Sequence, residues 1–466
     1  MEAVAPTAPA RSPLVARLDR FFEISARGSS IPVEVRAGLA TFLTMAYILF
    51  VNPEVLGSVA DPSGLKLPFD QVLTVTALVA GVATLAMGIY GRYPFALAAG
   101  LGLNAFVAFA LVGTDHLSWP DAMGVIVAEG VIISVLVLVG FREAVINAIP
   151  HDLKLAIGIG IGLFITIIGL VGAGIVVKGS GTVVTLAAHL DKWTVAVFVV
   201  GLIGTYVLVV RRIPGALLIG IVGATVLATI INELKDKSIW HDGVAAIPSK
   251  VVASPDFSLV GNFSFHFWSV LGAASAIAVV LSVLLSDFFD TAGTVLGIGR
   301  RAGLLTPDGR LPGMKRVLFV DGLAAAAGGA ASASSNTTFI DSSAGVGEGG
   351  RTGLASVVTG VLFLICLFVS PLAGVIPPEA TAPVLVIVGS MMLELVRDIR
   401  WDERGIALPV LLTVVLMPMT YSITNGVGAG FISYSVIALL TGRRVHPLLL
   451  VFSAIFVWYF VHGAVG

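Results

Sequence analysis

The sequence predicts an all-α polytopic membrane protein of about fourteen transmembrane spans, read as 7+7 inverted repeats. Three observations carry that prediction. Of the 466 residues, 57% are hydrophobic and only 12% are charged, about half the charge of a soluble protein, and the mean hydropathy is +1.01. Charge-free stretches of span length recur along the whole chain. Basic residues collect in alternate loops between them, which sets a common orientation. This composition excludes a soluble enzyme, a disordered chain and a secreted disulfide scaffold. The net charge of −1 implies no nucleic-acid partner, and the single cysteine, Cys366, excludes an intrachain disulfide.

The elements follow in order. Residues 1–32 carry Arg11, Arg17, Arg20 and Arg27 without an apolar core or a cleavage pattern. They read as a cytoplasmic N-terminal tail, not a signal peptide. Ala37–Pro53, Gln71–Gly91, Tyr93–Thr114, Leu155–Val177, Trp193–Val210 and Ile213–Asn232 are free of charge, with a weaker candidate at 122–140. Together they make a first repeat over 33–232. Residues 233–262 form the longest polar connection and read as an external loop. Phe257–Ser286, Thr352–Pro378 and Gly405–Gly442 are the clear apolar runs of a second repeat over 263–442. Weaker candidates at 317–331, 333–346 and 382–396 complete it. An odd number of spans on each side of the loop gives the halves opposite orientation. The hydrophobic piece within 443–466 is left over, and crossing the membrane or lying along its surface are both open to it.

Two segments stand out as short and rich in small residues: Pro94–Phe106 and Ala330–Gly345. They hold the third position of each half, where interrupted segments point to a midplane binding site. Close helix packing by small residues is the competing account.

Charged groups within spans are costly, about 2.5–3.5 kcal/mol for a central acid. Asp287 and Asp290 follow a charge-free run, three residues apart on one helical face, with Thr291 and Thr294 beside them. Like charges so placed favour a group that carries a proton. Capping, or bonds to Thr291 and Thr294, is the structural alternative. Asp341 lies among serines, threonines and glycines. If that stretch is extended, Phe339 shares its face, so a flat ligand would stack on the ring and bond to the acid. Plain packing is the alternative for Phe339. Asn104 would read a ligand edge or join two helices. Glu129 and Asp321 read first as structural partners, with proton transfer second. Gly158-Ile-Gly-Ile-Gly162 follows no strand and reads as helix packing. Gly345–Gly353 lacks a phosphate-binding Lys and reads as a tight turn. No nucleotide-binding domain or cofactor is expected, so transport would be secondary, driven by an ion gradient.

At these residues the chain resembles the AzgA-type purine permeases of the nucleobase/cation symporter group. The resemblance rests on Ala37–Pro53, Gly100–Phe106, Asp287–Thr294, Asp341–Gly353, Ala382–Gly389 and Leu416–Ile423. It implies core and gate domains, with spans 3 and 10 broken by short strands that flank the substrate. It also implies proton-coupled import of adenine, guanine and hypoxanthine across the bacterial inner membrane, by a protein compatible with a homodimer. Asn104, Asp287 and Asp341 would contact the base, and Asp290 would support the site or the coupling. The family usually has Glu where this chain has Asp341, so the reach falls by about 1 Å. Competing readings are a related permease for uracil, xanthine or an anion, and an intramembrane aspartyl protease using Asp341 with Asp287.

Overall fold

The computed structural model describes residues 13–140, 148–241, 243–248, 250–308 and 310–462. Arg11 and the rest of 1–12, Arg142, and the last four residues lie outside the described residues. Among those described, nine helical segments are long and apolar enough to cross a membrane, and four shorter apolar helices accompany them.

The short amphipathic α1 (Pro13–Phe22) leads into α2 (Ile31–Met45) and α3 (Ile48–Gly57), which together make one crossing. α4 (Phe69–Ala86) ends in a wide i→i+5 turn, Met87–Gly91. Strand β1 (Leu97–Ala99) then precedes α5 (Leu101–Ala105), which runs on as a π-helix over Phe106–Thr114. α6 (Trp119–Val139) and α7 (His151–Gly172) follow. A small hairpin of β2 (Val176–Val177) and β3 (Thr185–Leu186) leads to α8 (Trp193–Val210) and α9 (Ala216–Leu234).

The second half opens with α10 (Phe267–Arg301), kinked at Gly272, whose φ of 74° and ψ of 163° only glycine adopts easily. It continues with α11 (Met314–Ala330), β4 (Asn336–Thr338), α12 (Ser342–Gly347) and α13 (Gly353–Ile365). α14 (Pro378–Met392), α15 (Arg404–Thr420), α16 (Ile423–Leu440) and α17 (Pro447–His462) complete the fold.

Both short, small-residue segments are broken helices. β1 and β4 pair antiparallel, with Leu97 opposite Thr338, Ala98 opposite Thr337 and Ala99 opposite Asn336. Such a break exposes backbone groups that water cannot reach, so side chains must satisfy them. The Leu97 N–H donates to Thr84 Oγ1 at 2.9 Å, and that hydroxyl donates to Leu97 O at 3.1 Å. The Ala96 N–H donates to Ser342 Oγ, and the Thr338 N–H to Asp321, each at 2.9 Å. Asn52 Nδ2 donates to Ala333 O at 3.2 Å. Ser332 and Ser334 turn the chain with φ of 59° and 68°.

The helices pack in two groups. α2, α3, α4 and α6 lie against α10, α11 and α13, while α7, α8 and α9 lie against α14, α15 and α16. Glycine lets these neighbours approach closely. A Cβ on Gly130 of α6 would collide with the backbone of Ala326 on α11, and one on Gly353 with the backbone of Gly88. Gly158, Gly160 and Gly162 face Leu395, Met417 and Met392, so the glycine triplet is a helix-packing surface. The glycine-rich 345–353 segment is the tight turn expected of it. Gly345 and Gly350 lie on Ala37, and the Arg351 and Thr352 N–H groups donate to Glu34 at 2.9 and 3.3 Å.

The 233–262 connection spans both groups. Trp240 Nε1 donates to Glu379 at 3.1 Å in one, and the Gly261 N–H to Ala330 O at 2.7 Å in the other. The leftover C-terminal segment is also resolved in position. α17 runs antiparallel to α16, with Ser453 bonded to Ser435 at 2.8 Å and Tyr459 donating to Asn425 at 3.1 Å. It therefore lies lengthwise on α16, not across its end.

The packing predicts a sharp contrast between two glycines. Gly130→Val must separate α6 from α11, an overpacking cost of about 1–3 kcal/mol. Gly204 on α8 has open space around a Cβ, so Gly204→Val should leave stability unchanged. Thermal unfolding of the two purified variants against wild type checks this.

Candidate functional site

Asp287 lies well inside α10 and is fully buried. Neither of its carboxyl oxygens has a hydrogen-bond partner in the protein. Glu129, on α6, is likewise fully buried with both oxygens unpartnered. The two carboxyl groups adjoin each other, with Ser335 beside Glu129 and Thr337 beside Asp287. Asn104 completes the set. It is fully buried, and neither its amide nitrogen nor its oxygen is bonded. The strand crossing places it: the Gly100 N–H donates to Ser335 O at 2.9 Å, and the Asn104 N–H to Gly100 O at 2.8 Å one turn later. The hydroxyls of Ser286, Ser334 and Ser335 are also unpartnered.

Buried polar groups are ordinarily bonded, and each exception costs about 1–3 kcal/mol or more when charged. So many exceptions converging on one strand crossing mark a site shaped for something other than stability. The groups offer donors and acceptors to a flat polar ligand and titratable carboxyls to a proton.

Asp321 on α11 shows the contrasting case. It accepts from Thr291 Oγ1 at 2.8 Å, and from the N–H and hydroxyl of Thr338 at 2.9 Å each. This acid is the structural partner the sequence suggests, and it fixes β4 against α11.

Three expectations need correction. Glu129 is not held by the scaffold as Asp321 is: neither oxygen makes a hydrogen bond within bonding criteria, and the polar groups beside it are the Asp287 carboxyl and the Ser335 hydroxyl. The pair of Asp287 with Asp290 gives way to Asp287 with Glu129. Three residues leave the two aspartates about 60° apart around the helix, enough to bury Asp287 and leave Asp290 exposed. Thr291 does not bond Asp287 either; its hydroxyl meets Asp321 and Thr337, the latter at 2.6 Å. Thr294 is buried on the same helix.

Asp341 and Phe339 also differ from the extended arrangement. β4 ends at Thr338, and Asp341 has helical angles, φ −58° and ψ −21°, at the head of α12. The alternation that would place both side chains on one face is therefore absent. Phe339 is 7% exposed and packs in the main apolar core. The half-buried Asp341 accepts weakly from Tyr47 Oη at 3.5 Å, and its carbonyl accepts from Thr44 at 3.3 Å. Tyr47 was not singled out from sequence. Its signal was available: a phenol inside the apolar run 37–53, where a polar tip needs a partner.

Comparison with known proteins gives the architecture a lineage. The Permease family (Xan_ur_permease) matches residues 33–428, most of the chain. The protein belongs to this family. The guanine/hypoxanthine permease PbuG of Bacillus subtilis is 39% identical over 95% of this chain and 99% of its own length. The adenine permease AdeQ of Escherichia coli is 37% identical over 91% of each chain. Among solved structures, the murine anion transporter Slc26a9 superposes with a TM-score of 0.63 at 12% identity, covering 94% of this chain and 74% of that one. The transmembrane domain of the cyanobacterial bicarbonate transporter BicA gives 0.56 at 12% identity, covering 91% and 97%. At such identity these two define the fold alone. The chain is a multi-pass permease and not an enzyme, which removes the protease reading.

The contrast between the two buried aspartates is testable by stability alone. Asp321→Asn turns an acceptor into a donor against Thr291 or Thr338 and should cost about 1–3 kcal/mol. Asp287→Asn removes no bond to a backbone N–H or a threonine hydroxyl of the kind that Asp321 makes and should cost less stability than Asp321→Asn. Thermal unfolding in detergent compares them.

Proposed function

We propose that this permease moves purine nucleobases inward together with protons, by alternating access between its two helix groups. The observation that carries the reading is the convergence of Asn104 and Asp287, buried and unbonded, on the β1–β4 crossing. A neutral flat base needs a few fixed donors and acceptors within an apolar enclosure, and these residues offer them. The relatives named for guanine, hypoxanthine and adenine favour these three purines over xanthine and over the pyrimidine uracil. An anion, as named for the fold neighbours, would want a basic side chain or a helix N-terminus; here the paired groups are carboxyls.

The architecture we propose is fourteen spans as two inverted seven-span repeats. Its support is that contacts recur with the halves exchanged. α2 on α13 is matched by α10 on α6, α4 on α13 by α11 on α6, and α8 on α9 by α15 on α16. The first group of helices would be the core carrying the site, and the second the gate. The N-terminus would be cytoplasmic by the positive-inside pattern, in the inner membrane, with lipid around the protein and a homodimer as its assembly. Asp287 and Asn104 would read the base edge, Asp341 would approach it from α12, and Phe339 would shape the apolar wall behind the strand.

Proteoliposomes supply the test. Labelled hypoxanthine, guanine and adenine should accumulate with an inward proton gradient and equilibrate without one, while uracil should do neither. Uptake of uracil but no purine would overturn the substrate reading, and accumulation indifferent to the gradient would overturn the coupling. Asp341→Glu, which restores about 1 Å of reach, should change the KM ratio among the three purines while leaving proton dependence intact.

A further inference from the structure

Two buried carboxyl groups with no basic residue or backbone N–H bonded to them meet at the strand crossing, and that is an unstable arrangement unless a proton joins them. Glu129 faces Asp287, Ser335 and Asp321; Asp287 faces Glu129 and Thr337, with Asp290 further off. None of these neighbours is basic. The Thr337 hydroxyl is engaged with Thr291, Asp321 already accepts three hydrogen bonds, and the Ser335 hydroxyl beside Glu129 is one neutral donor for two acids. Two adjacent carboxylates sealed from water lose their hydration and repel each other. A carboxylic acid beside a carboxylate removes the repulsion and supplies the missing donor. Close packing imposes this meeting. Gly130, the residue after Glu129, sits against the Ala326 backbone, and Gly329 of α11 sits against Val127. α6 is therefore held too tightly for Glu129 to withdraw.

We propose that Glu129 and Asp287 share a proton, and that this couple, not Asp287 with Asp290, carries the coupling proton of transport. The inference rests on reading the permease as a proton-coupled purine carrier. In the empty carrier the couple holds one proton, with the Glu129 O–H donating to the Asp287 carboxylate. Loading transfers a second proton from water to Asp287, so both carboxyls are neutral. Asp287 then donates its O–H to a ring nitrogen of the base and accepts a base N–H on its carbonyl oxygen. No covalent bond to the base forms. On release toward lower proton activity the base departs and the second proton returns to water. One proton thus moves with each base, and the loaded couple crosses without charge.

Infrared spectroscopy of the purified full-length protein, together with hypoxanthine binding as a function of pH, tests the couple. Without substrate at neutral pH, wild type should show a protonated-carboxyl C=O component that both Glu129→Gln and Asp287→Asn remove and Asp290→Asn keeps. Glu129→Gln also places an amide donor against Asp287 and holds it ionised. Hypoxanthine binding should then need pH lower by at least about one unit, roughly a tenfold loss of affinity at a fixed pH on the flank of the profile. Glu129→Asp, which keeps a carboxyl in place, should restore most of the profile. A role in packing alone would lower binding equally at every pH. An unchanged carboxyl component and an unchanged profile in Glu129→Gln would overturn the proposal. If wild type binds no purine, the substrate reading fails, while the infrared component still decides whether the couple exists.

Discussion

Everything in this protein depends on how a broken backbone is satisfied where water is absent. A continuous helix bonds its own N–H and C=O groups, so a membrane tolerates it without help. The chain gives up that security twice, at β1 and at β4, and replaces it with a fixed set of partners. Thr84 bonds both backbone groups of Leu97, Ser342 holds Ala96, and Asp321 holds Thr338. The two breaks then satisfy each other through the antiparallel pairing of Leu97–Ala99 with Asn336–Thr338. The result is a rigid crossing in the interior, and functional side chains can be hung from it with little freedom to drift.

That rigidity explains the division of labour among the acids. Asp321 is bonded and serves the scaffold, whereas the carboxyl oxygens of Asp287 and Glu129 make no such bonds. All three are buried acids in helices, and the difference between them is one of partners. Stability is sacrificed at one pair and recovered in the packing around it, a distribution common at functional sites. The glycines of α6 and α11 belong to the same design, since only their missing Cβ atoms let the two backbones approach closely enough to bury Glu129 beside Asp287.

The surrounding helices divide into a group that holds the crossing and a group that faces it. The 233–262 connection is bonded to both, and α17 packs on both α16 and α10. The chain passes between the groups three times, from α6 to α7, from α9 to α10 and from α13 to α14, so any relative movement of the two groups must be accommodated by these connections and by α17.

Much of this was legible in the sequence. Hydropathy marks a polytopic membrane protein, and nine helical segments among the described residues are long and apolar enough to cross a membrane, because crossing hydrocarbon requires apolar length. Small residues mark both broken segments, because close approach and sharp turns require them. An acid in a span advertises itself by its cost. Sequence could not say which acids meet. Helical spacing favoured Asp290 as the partner of Asp287, but α6 brings Glu129 from the other half of the chain, and no periodicity within one helix reports a neighbour on another. Nor could it see that the strand ends at Thr338, which separates Phe339 from Asp341, or that the Tyr47 hydroxyl reaches Asp341. The sequence by itself determined which groups were costly to bury and where the backbone would break. Tertiary structure alone decided which of those groups were compensated, because hydrogen bonds and shared protons depend on contacts between distant segments that local pattern does not encode.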